Sequence, residues 1–199
     1  MIRPLAKRYP SNDPEKVTPI WNDDYANEMR EVYRAHRDDH DVAALFAEAI
    51  MNRTPWQLWD IKTGKPADGA DTAEAIAVLE RAMAQPLGMH HSGLLHMYIH
   101  LMEMSPSSQK ALRAADVLRD LVPDAGHLIH MATHIDVLCG LYKNVVDGNS
   151  RAIAADRKYL AREGANNFYS LSAATIFTSS SMARCSSASS NRPSMQPMK

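Results

Sequence analysis

The sequence predicts an all-α protein in which antiparallel helical hairpins stack side by side as a solenoid. Apolar residues recur at spacings of three and four along most of the chain, and no two-residue alternation typical of strands competes with this pattern. Short connections rich in helix-breaking residues separate the apolar segments. The pair His96 and His100 also recurs 34 residues later as His130 and His134. A unit of that length holds one hairpin, which buries its apolar face only by stacking on a neighbour.

Residues typical of helix starts and helix ends predict the boundaries of the helices. Residues 1–17 are predicted to be an irregular N-terminal segment, and helical repeats are predicted over residues 18–171. Thr18 followed by Pro19 is typical of a helix start, and Pro55 stops the second helix. The predicted helices span approximately residues 18–37, 39–52, 71–85, 93–104, 107–121, 126–139 and 142–163. Asp71 is expected to cap the third of them.

An insert loop is predicted over residues 53–70. It contains Trp56, Trp59 and several glycines and prolines. Large aromatic side chains in a long loop more often pack it onto its neighbours than line a ligand site, so we expect both rings to anchor the loop. An aromatic wall against a ligand is the alternative. Glu48 on the preceding helix would add a carboxylate to such a site, although a solvated glutamate is the commoner outcome.

Several segments resemble the tetratricopeptide repeat (TPR). The period of 34 residues, Pro123 after a second helix and the turn Gly140-Leu141-Tyr142 match its pattern. The resemblance covers about residues 18–164. It is closest to little-characterised bacterial and fungal TPR-domain proteins. The segments that carry this likeness are AEAIMNRTPWQLWD, HSGLLHMYIHLMEMS and PDAGHLIHMATHI. In the last of them Ala132 replaces an expected proline. The resemblance implies a right-handed superhelix with a concave groove lined by the first helix of each hairpin, and it implies no reaction.

The segment 172–199 departs from the rest of the chain. It is rich in serine and lacks helical periodicity, so we predict a disordered tail. We interpret it as out of frame, because loss of one nucleotide from a tyrosine codon after Leu171 would replace a further helical hairpin carrying two histidines. The start is abrupt as well, and we expect a chain that is short at both ends. The last repeat helix would then expose apolar residues, with Val145, Ile153 and Leu160 weakly protected.

Histidines are concentrated in two of the predicted helices. Seven of the nine lie between His90 and His134. Their positions relative to the turn glycines are those of groove-facing residues in the resembled repeats, and spacings of three and four residues place side chains on one helix face. We therefore predict a ligand-binding groove lined by His96, His100, Glu103, His127, His130 and His134.

Two chemistries fit this histidine row. Histidines four residues apart on a helix can bind one metal ion, so His96, His100, His130 and His134 are a candidate site for a divalent ion such as Zn, Fe, Mn or Cu. The sequence lacks the glutamate of a His-Glu-x-x-His motif, since Met97 follows His96. The alternative is a row of neutral imidazoles that hydrogen-bond one another, Glu103 and a ligand.

Composition and charge limit the classes of partner that the protein can bind. With 22 basic and 23 acidic residues the net charge is −1, and no basic stripe for nucleic acid or anionic lipid is present. No apolar run reaches the roughly 20 residues that span a bilayer, and the N-terminal residues lack the apolar core of a secretory signal. Cys139 and Cys185 have no metal-ligand or redox spacing. These features predict a soluble cytoplasmic protein.

The leading functional hypothesis is a binding scaffold for a protein, peptide or small-molecule ligand. It rests on the resemblance and on the polar groove. The groove lacks the lysines and arginines that would clamp a peptide carboxylate, and no phosphate loop or nucleophile elbow occurs. A metal-dependent enzyme is the competing hypothesis, in which a histidine-bound ion activates water or oxygen.

Overall fold

A computed structural model of the chain describes residues 2–11, 13, 19–164, 166–167, 170 and 176. These residues are mostly helical, as predicted. The helices and strands are α1 (Ile2–Arg8), α2 (Ile20–Ala35), α3 (His40–Met51), β1 (Trp59–Asp60), β2 (Lys65–Pro66), α4 (Thr72–Met83), α5 (Ser92–Met102), α6 (Leu112–Leu121), α7 (Gly126–Leu138) and α8 (Tyr142–Glu163). Within the described ranges, none of the helices has both the length and the apolar character that crossing a bilayer requires.

The chain divides into two compact units. They comprise Met1–Ala114, the N-terminal unit, and Ala115–Lys199, the C-terminal unit. In the N-terminal unit α3 packs against α2, α4 and α5, and α4 also packs against α5. The largest fully buried side chains there are Met29, Phe46, Ile50, Leu79, Leu94, Leu95, Ile99 and Leu101. Most of them recur at helical spacing, so the apolar stripes read from the sequence do form this core.

The start of α3 confirms a sequence signal, and the start of α4 corrects one. Asp39 accepts a hydrogen bond from Val42 N at 3.0 Å and so caps α3. Asp71 precedes α4, but its side chain makes no capping bond. Its carboxylate accepts instead from the guanidinium groups of Arg30 and Arg53. The two guanidinium groups bring a compensating positive charge as well as hydrogen-bond donors, whereas the helix N–H groups are neutral donors.

The prediction of an irregular segment over residues 1–17 is wrong for residues 2–8, which form α1. Residues 1, 12 and 14–17 lie outside the described part. The helix packs on α2, and Arg8 donates from Nη1 to Glu48 Oε1 at 3.2 Å while its guanidinium lies 4.9 Å from the Tyr25 ring centroid. Seven residues are too few for a helix that is stable alone. These tertiary contacts supply the stability that the local sequence does not reveal.

The insert loop contains a short hairpin that the sequence did not predict. Trp59 pairs with Pro66 and Asp60 with Lys65 in an antiparallel ladder. A ladder of two residues is too short to show an alternating pattern. The Asp60 carboxylate accepts from the backbone N–H groups of Lys62 and Thr63, and these donors hold the pKa of Asp60 below its usual value. Gly64 then turns the chain back with φ of +69°.

Helix α6 starts later than predicted. The segment expected to be helical from residue 107 begins as a 3-10 turn over Ser108–Ala111, and α6 follows from Leu112. The sequence pattern does not distinguish a 3-10 turn from the first turn of an α-helix, because both fix nearly the same backbone angles.

The C-terminal unit is built on the packing of α7 against α8. Gly148 lies in the middle of α8, and a Cβ atom added there would lie 2.8 Å from Thr133 Cγ2. A Cβ on Gly126 would lie 2.0 Å from Asp156 Oδ1. Both glycines therefore allow the two helices to approach more closely than larger residues would.

The turn between α7 and α8 confirms the expectation for Gly140. This glycine has φ of +74°, its N–H donates to Val137 O at 3.2 Å, and Leu141 N–H donates to Asp136 O at 2.8 Å. The two bonds are those of a Schellman motif, which satisfies the last carbonyl groups of a helix. Helix α8 then runs over the residues predicted for it.

In the predicted tail, residues 172–199, the structure describes only Ile176. Ile176 is fully buried in a cluster with Ile129, Ala152 and Ala155. The prediction of a poorly packed tail is therefore wrong at this residue. The other residues of 172–199 lie outside the described part. The expected exposed stripe is wrong for Val145, which is buried, and for Ile153, which packs on the same cluster.

Removing the Asp136 carboxylate should destabilise the C-terminal unit strongly. Asp136 is fully buried and accepts from Arg119 Nη1 at 3.0 Å and Nη2 at 3.2 Å. Asp136→Ala leaves the mostly buried guanidinium without this partner, and we expect a loss of about 3–5 kcal/mol in the free energy of unfolding, measured by urea denaturation. Asp116→Ala is the matched control, because the exposed Asp116 pairs with the same arginine at 2.7 Å and should contribute at most about 1 kcal/mol. Equal losses in the two variants would contradict this account.

Candidate functional site

The structure places the predicted groove residues in both units. His96 and His100 lie on α5, with Glu103 directly after its last residue, in the N-terminal unit. His127, His130 and His134 lie on α7 in the C-terminal unit. The candidate metal set of His96, His100, His130 and His134 therefore consists of one pair in each unit. The ring centroids are 4.8 Å apart in both pairs, as expected for residues four apart on one helix face.

A cavity of about 280 Å³ lies in the N-terminal unit among α3, the insert loop and α5. Its polar lining comes from Glu48, Asn52, His100 and Glu103. Its apolar lining comes mainly from Trp56 and the methionines Met51, Met97 and Met104. The cavity thus joins two of the predicted groove residues, His100 and Glu103, to Glu48 and Trp56.

Two carboxylates give the cavity its negative charge. The Glu103 side chain is 11% exposed, and its Oε1 lies 3.0 Å from His100 Nδ1. A carboxylate can only accept, so Nδ1 carries the proton in this contact. Glu48 accepts from Asn52 Nδ2 at 2.9 Å and from Arg8 Nη1 at 3.2 Å. Burial lowers the pKa of Arg8, but the charge and hydrogen bond of Glu48, together with Tyr9 and Tyr25, outweigh burial, so the pKa is raised.

Neither Asn52 nor Arg8 was a predicted site residue. Asn52 directly follows the last residue of α3 and lies one turn after Glu48, so its position could have been found from the sequence. Arg8 comes from a segment whose helix carries no local signal.

The two tryptophans of the insert loop have different roles. Trp59 anchors the loop as expected, since its Nε1 donates to the Leu101 carbonyl at 2.6 Å. Trp56 does not, because its side chain is 71% exposed and its ring meets the His100 ring edge to face, with centroids 6.4 Å apart. The aromatic wall considered as the alternative is therefore formed by Trp56 alone.

The backbone at Trp56 is unusual. Gln57 N–H donates to Thr54 O at 3.0 Å, Pro55 occupies the second position of this turn, and Trp56 has φ of +64°. This is the arrangement of a type II turn, whose third position normally holds glycine. A bulky residue in this region costs on the order of 1–3 kcal/mol and is found mostly at functional sites.

One histidine of the dense segment is structural. His91 precedes α5, and its Nδ1 accepts from Leu94 N–H at 3.2 Å while its Nε2 donates to Asp41 Oδ1 at 3.0 Å. His91 therefore caps α5 and joins its start to α3.

In the C-terminal unit the α7 histidines meet a buried amide. The Nε2 atoms of His130 and His134 are 3.1 Å apart, and His130 Nδ1 lies 2.7 Å from Asn149 Oδ1 on α8. The ring of His127 is farther away, 6.5 Å from that of His130 between centroids. Asn149 was missed in the sequence, although a Gly-Asn pair inside a helical pattern signals close helix packing beside a polar group.

Compared with family models, with curated proteins and with solved structures, the chain matches none of them.

Replacing Trp56 by glycine should stabilise the protein even though it removes a large side chain. The side chain is mostly exposed, so little apolar burial is lost, and Trp56→Gly relieves the left-handed backbone by about 1 kcal/mol. Urea denaturation followed by circular dichroism measures the change.

The matched control is Gly69→Ala in the same loop. Gly69 has φ of +77° and nothing within 4 Å of an added Cβ, so alanine introduces backbone strain alone and should destabilise by about 1 kcal/mol. A Trp56→Gly protein less stable than the wild type would show that the ring packs as a structural element.

Proposed function

We propose that the chain is a TPR-like helical binding protein whose N-terminal unit takes an arginine side chain of an extended partner peptide into the cavity beside Trp56. The observation that carries this proposal is the convergence of the Glu48 and Glu103 carboxylates and an exposed, strained Trp56 on one cavity. The contacts of α3 with both α4 and α5 support stacked hairpins, because a first helix then contacts its own partner and the next first helix.

The charge of the cavity selects a cation. Its charged lining side chains are the two glutamates, and Glu48 pairs with Arg8 of the chain itself. Glu103 is more buried and contacts the His100 imidazole. A carboxylate offers about four acceptor positions in all. A positively charged group entering beside Glu103 would form charge-assisted hydrogen bonds in a partly buried setting.

The aromatic and thioether groups favour a guanidinium over an ammonium ion. A planar guanidinium can lie over an indole face and bind a carboxylate through two parallel hydrogen bonds, whereas an ammonium ion is a more strongly hydrated point charge. Met51, Met97 and Met104 are flexible and polarisable, and they adapt to the methylene stem of the entering side chain.

The size of the cavity limits the ligand. At about 280 Å³ it lies at the lower end of the roughly 300–1,000 Å³ of small-molecule pockets. One side chain fits this volume better than a large cofactor does. A peptide that inserts one arginine would run across the exposed surface of Trp56, and its remaining residues would add contacts outside the cavity.

The model ligand N-acetyl-arginine methylamide should bind this cavity weakly but specifically. We expect saturable shifts of the Met51, Met97 and Met104 methyl resonances and of the Trp56 indole N–H resonance in NMR titrations. Glu103→Gln should weaken binding about tenfold, since a hydrogen bond to a charged group contributes about 1.5 kcal/mol or more. The control Glu31→Gln changes an exposed glutamate that pairs with Arg34, and it should leave binding unchanged.

The neutral isostere N-acetyl-citrulline methylamide completes this test, because it keeps the shape of arginine and removes the charge. Equal shifts with the arginine and citrulline compounds would overturn the proposal. Equal binding of the lysine compound would reduce it to a site for any cation.

A further inference from the structure

The histidine pair of α7 forms a second polar site, within the C-terminal unit. His130 is 3% exposed, and His134 is partly exposed. Their Nε2 atoms face each other at 3.1 Å. Two nitrogen ligands of one ion lie at a similar separation: an ion about 2.0–2.1 Å from both atoms would subtend an angle of about 98°. That angle falls between octahedral and tetrahedral coordination, so one ion fits both atoms after a small adjustment.

Asn149 determines which nitrogen of His130 is available for a ligand. Its Oδ1 lies 2.7 Å from His130 Nδ1, and an amide oxygen only accepts, so Nδ1 carries the proton. The nearby Thr133 hydroxyl donates to the His130 carbonyl at 2.7 Å and therefore does not supply that proton. The lone pair of the neutral imidazole is then on Nε2, the atom that faces His134. This is the arrangement by which a hydrogen-bond acceptor orients a metal-ligating histidine.

Close packing of α8 on α7 places Asn149. The asparagine is fully buried, and Gly148 next to it leaves room for the Thr133 methyl group, which a Cβ would approach to 2.8 Å. A glycine in a helix interior costs about 1 kcal/mol relative to alanine. Here the same glycine brings the amide within hydrogen-bond distance of His130. Gly148 therefore lowers the stability of α8 directly beside Asn149, the residue that orients the His130 imidazole.

We propose that His130 and His134 bind a divalent transition-metal ion through their Nε2 atoms, with Asn149 as the positioning residue for His130. Neutral imidazole suits Zn²⁺, Cu²⁺ and Ni²⁺, and water or a ligand atom from solution completes the coordination. Before binding, His134 Nε2 donates the hydrogen bond to His130 Nε2. Binding replaces this hydrogen bond by two bonds to the metal, and the Nε2 proton of His134 leaves to solvent while Nδ1 takes one up, so that His134 also binds as a neutral imidazole. The inference concerns metal binding and assigns no reaction.

The test uses Zn²⁺ with the full chain prepared without a polyhistidine tag. Calorimetry should show one equivalent of zinc that is lost in His134→Ala. The ring Cε1–H resonances of His130 and His134 should shift in NMR as this equivalent binds, and zinc should raise the melting temperature of the wild type but not of His134→Ala. His134 is the better target for substitution because it is partly exposed, whereas His130→Ala risks misfolding.

Four further variants test whether zinc binds at this pair and not elsewhere. His36→Ala removes an exposed imidazole elsewhere and should change nothing. His96→Ala removes a histidine of the N-terminal unit and should leave the zinc-dependent shifts of His130 and His134 intact. Asn149→Ala should weaken zinc binding ten- to a hundredfold, while Asn149→Asp, which keeps an acceptor oxygen, should restore it.

Two results would overturn the proposal. One is zinc binding that survives His134→Ala unchanged, and the other is zinc binding that leaves the His130 and His134 ring resonances unmoved. Equal weakening by Asn149→Ala and Asn149→Asp would overturn the positioning role of Asn149.

Discussion

The burial of α3 is the constraint on which the N-terminal unit depends. This helix packs against α2, α4 and α5, and its buried face includes Ala43, Ala47 and Ala49 around the large side chains of Phe46 and Ile50. Small residues allow three neighbouring helices to approach one helix, and the large ones fill the space between them. Because α3 is fixed on these sides, Glu48 and Met51 have defined positions at the cavity. The same packing brings α5, and with it His100, to the opposite wall.

Polar groups in this protein divide according to what they contact. Asp136 with Arg119, Asp71 with Arg30 and Arg53, and His91 with Asp41 join helices to one another, and these contacts account for them structurally. The groups around the cavity are different in one respect. Trp56 exposes a large aromatic ring from a backbone conformation that glycine would adopt at lower cost, and no core packing explains it.

The sequence predicted the helices well where the signal was local. The bounds predicted for α8 were right, and the turn that begins at Gly140 precedes it as expected. The predicted start of the second helix, residue 39, is the residue that caps α3. The histidine pairs were also predictable, since a spacing of four residues fixes a shared helix face. The prediction failed for α1, which depends on Arg8 meeting Glu48 and Tyr25 far along the chain.

The residues that surround the histidines in each site were harder to predict than the histidines themselves. The cavity needs the insert loop to return Trp56 to α5, and a long-range bond from Trp59 to Leu101 anchors that loop. Asn149 reaches His130 only because two glycines let α7 and α8 approach each other. In both cases the missing information is tertiary, although the Gly148-Asn149 pair carried a local hint.

The two proposed sites each include a histidine from a pair spaced four residues apart, and the surroundings of that histidine differ. His100 is partly exposed, its partner is a charged carboxylate, and flexible methionines line the space beside it. Such a surrounding can adjust to a ligand that brings its own conformations and a compensating charge. His130 is buried, its partner is a neutral amide held in a helix, and glycine packing fixes the distance between them. An imidazole whose tautomer is fixed in advance, as that of His130 is, suits an ion, because a metal site loses affinity when its ligands must be reoriented on binding. The hydrogen-bond partner, rather than the histidine itself, is therefore what distinguishes the proposed adaptable cavity from the proposed preorganised metal site.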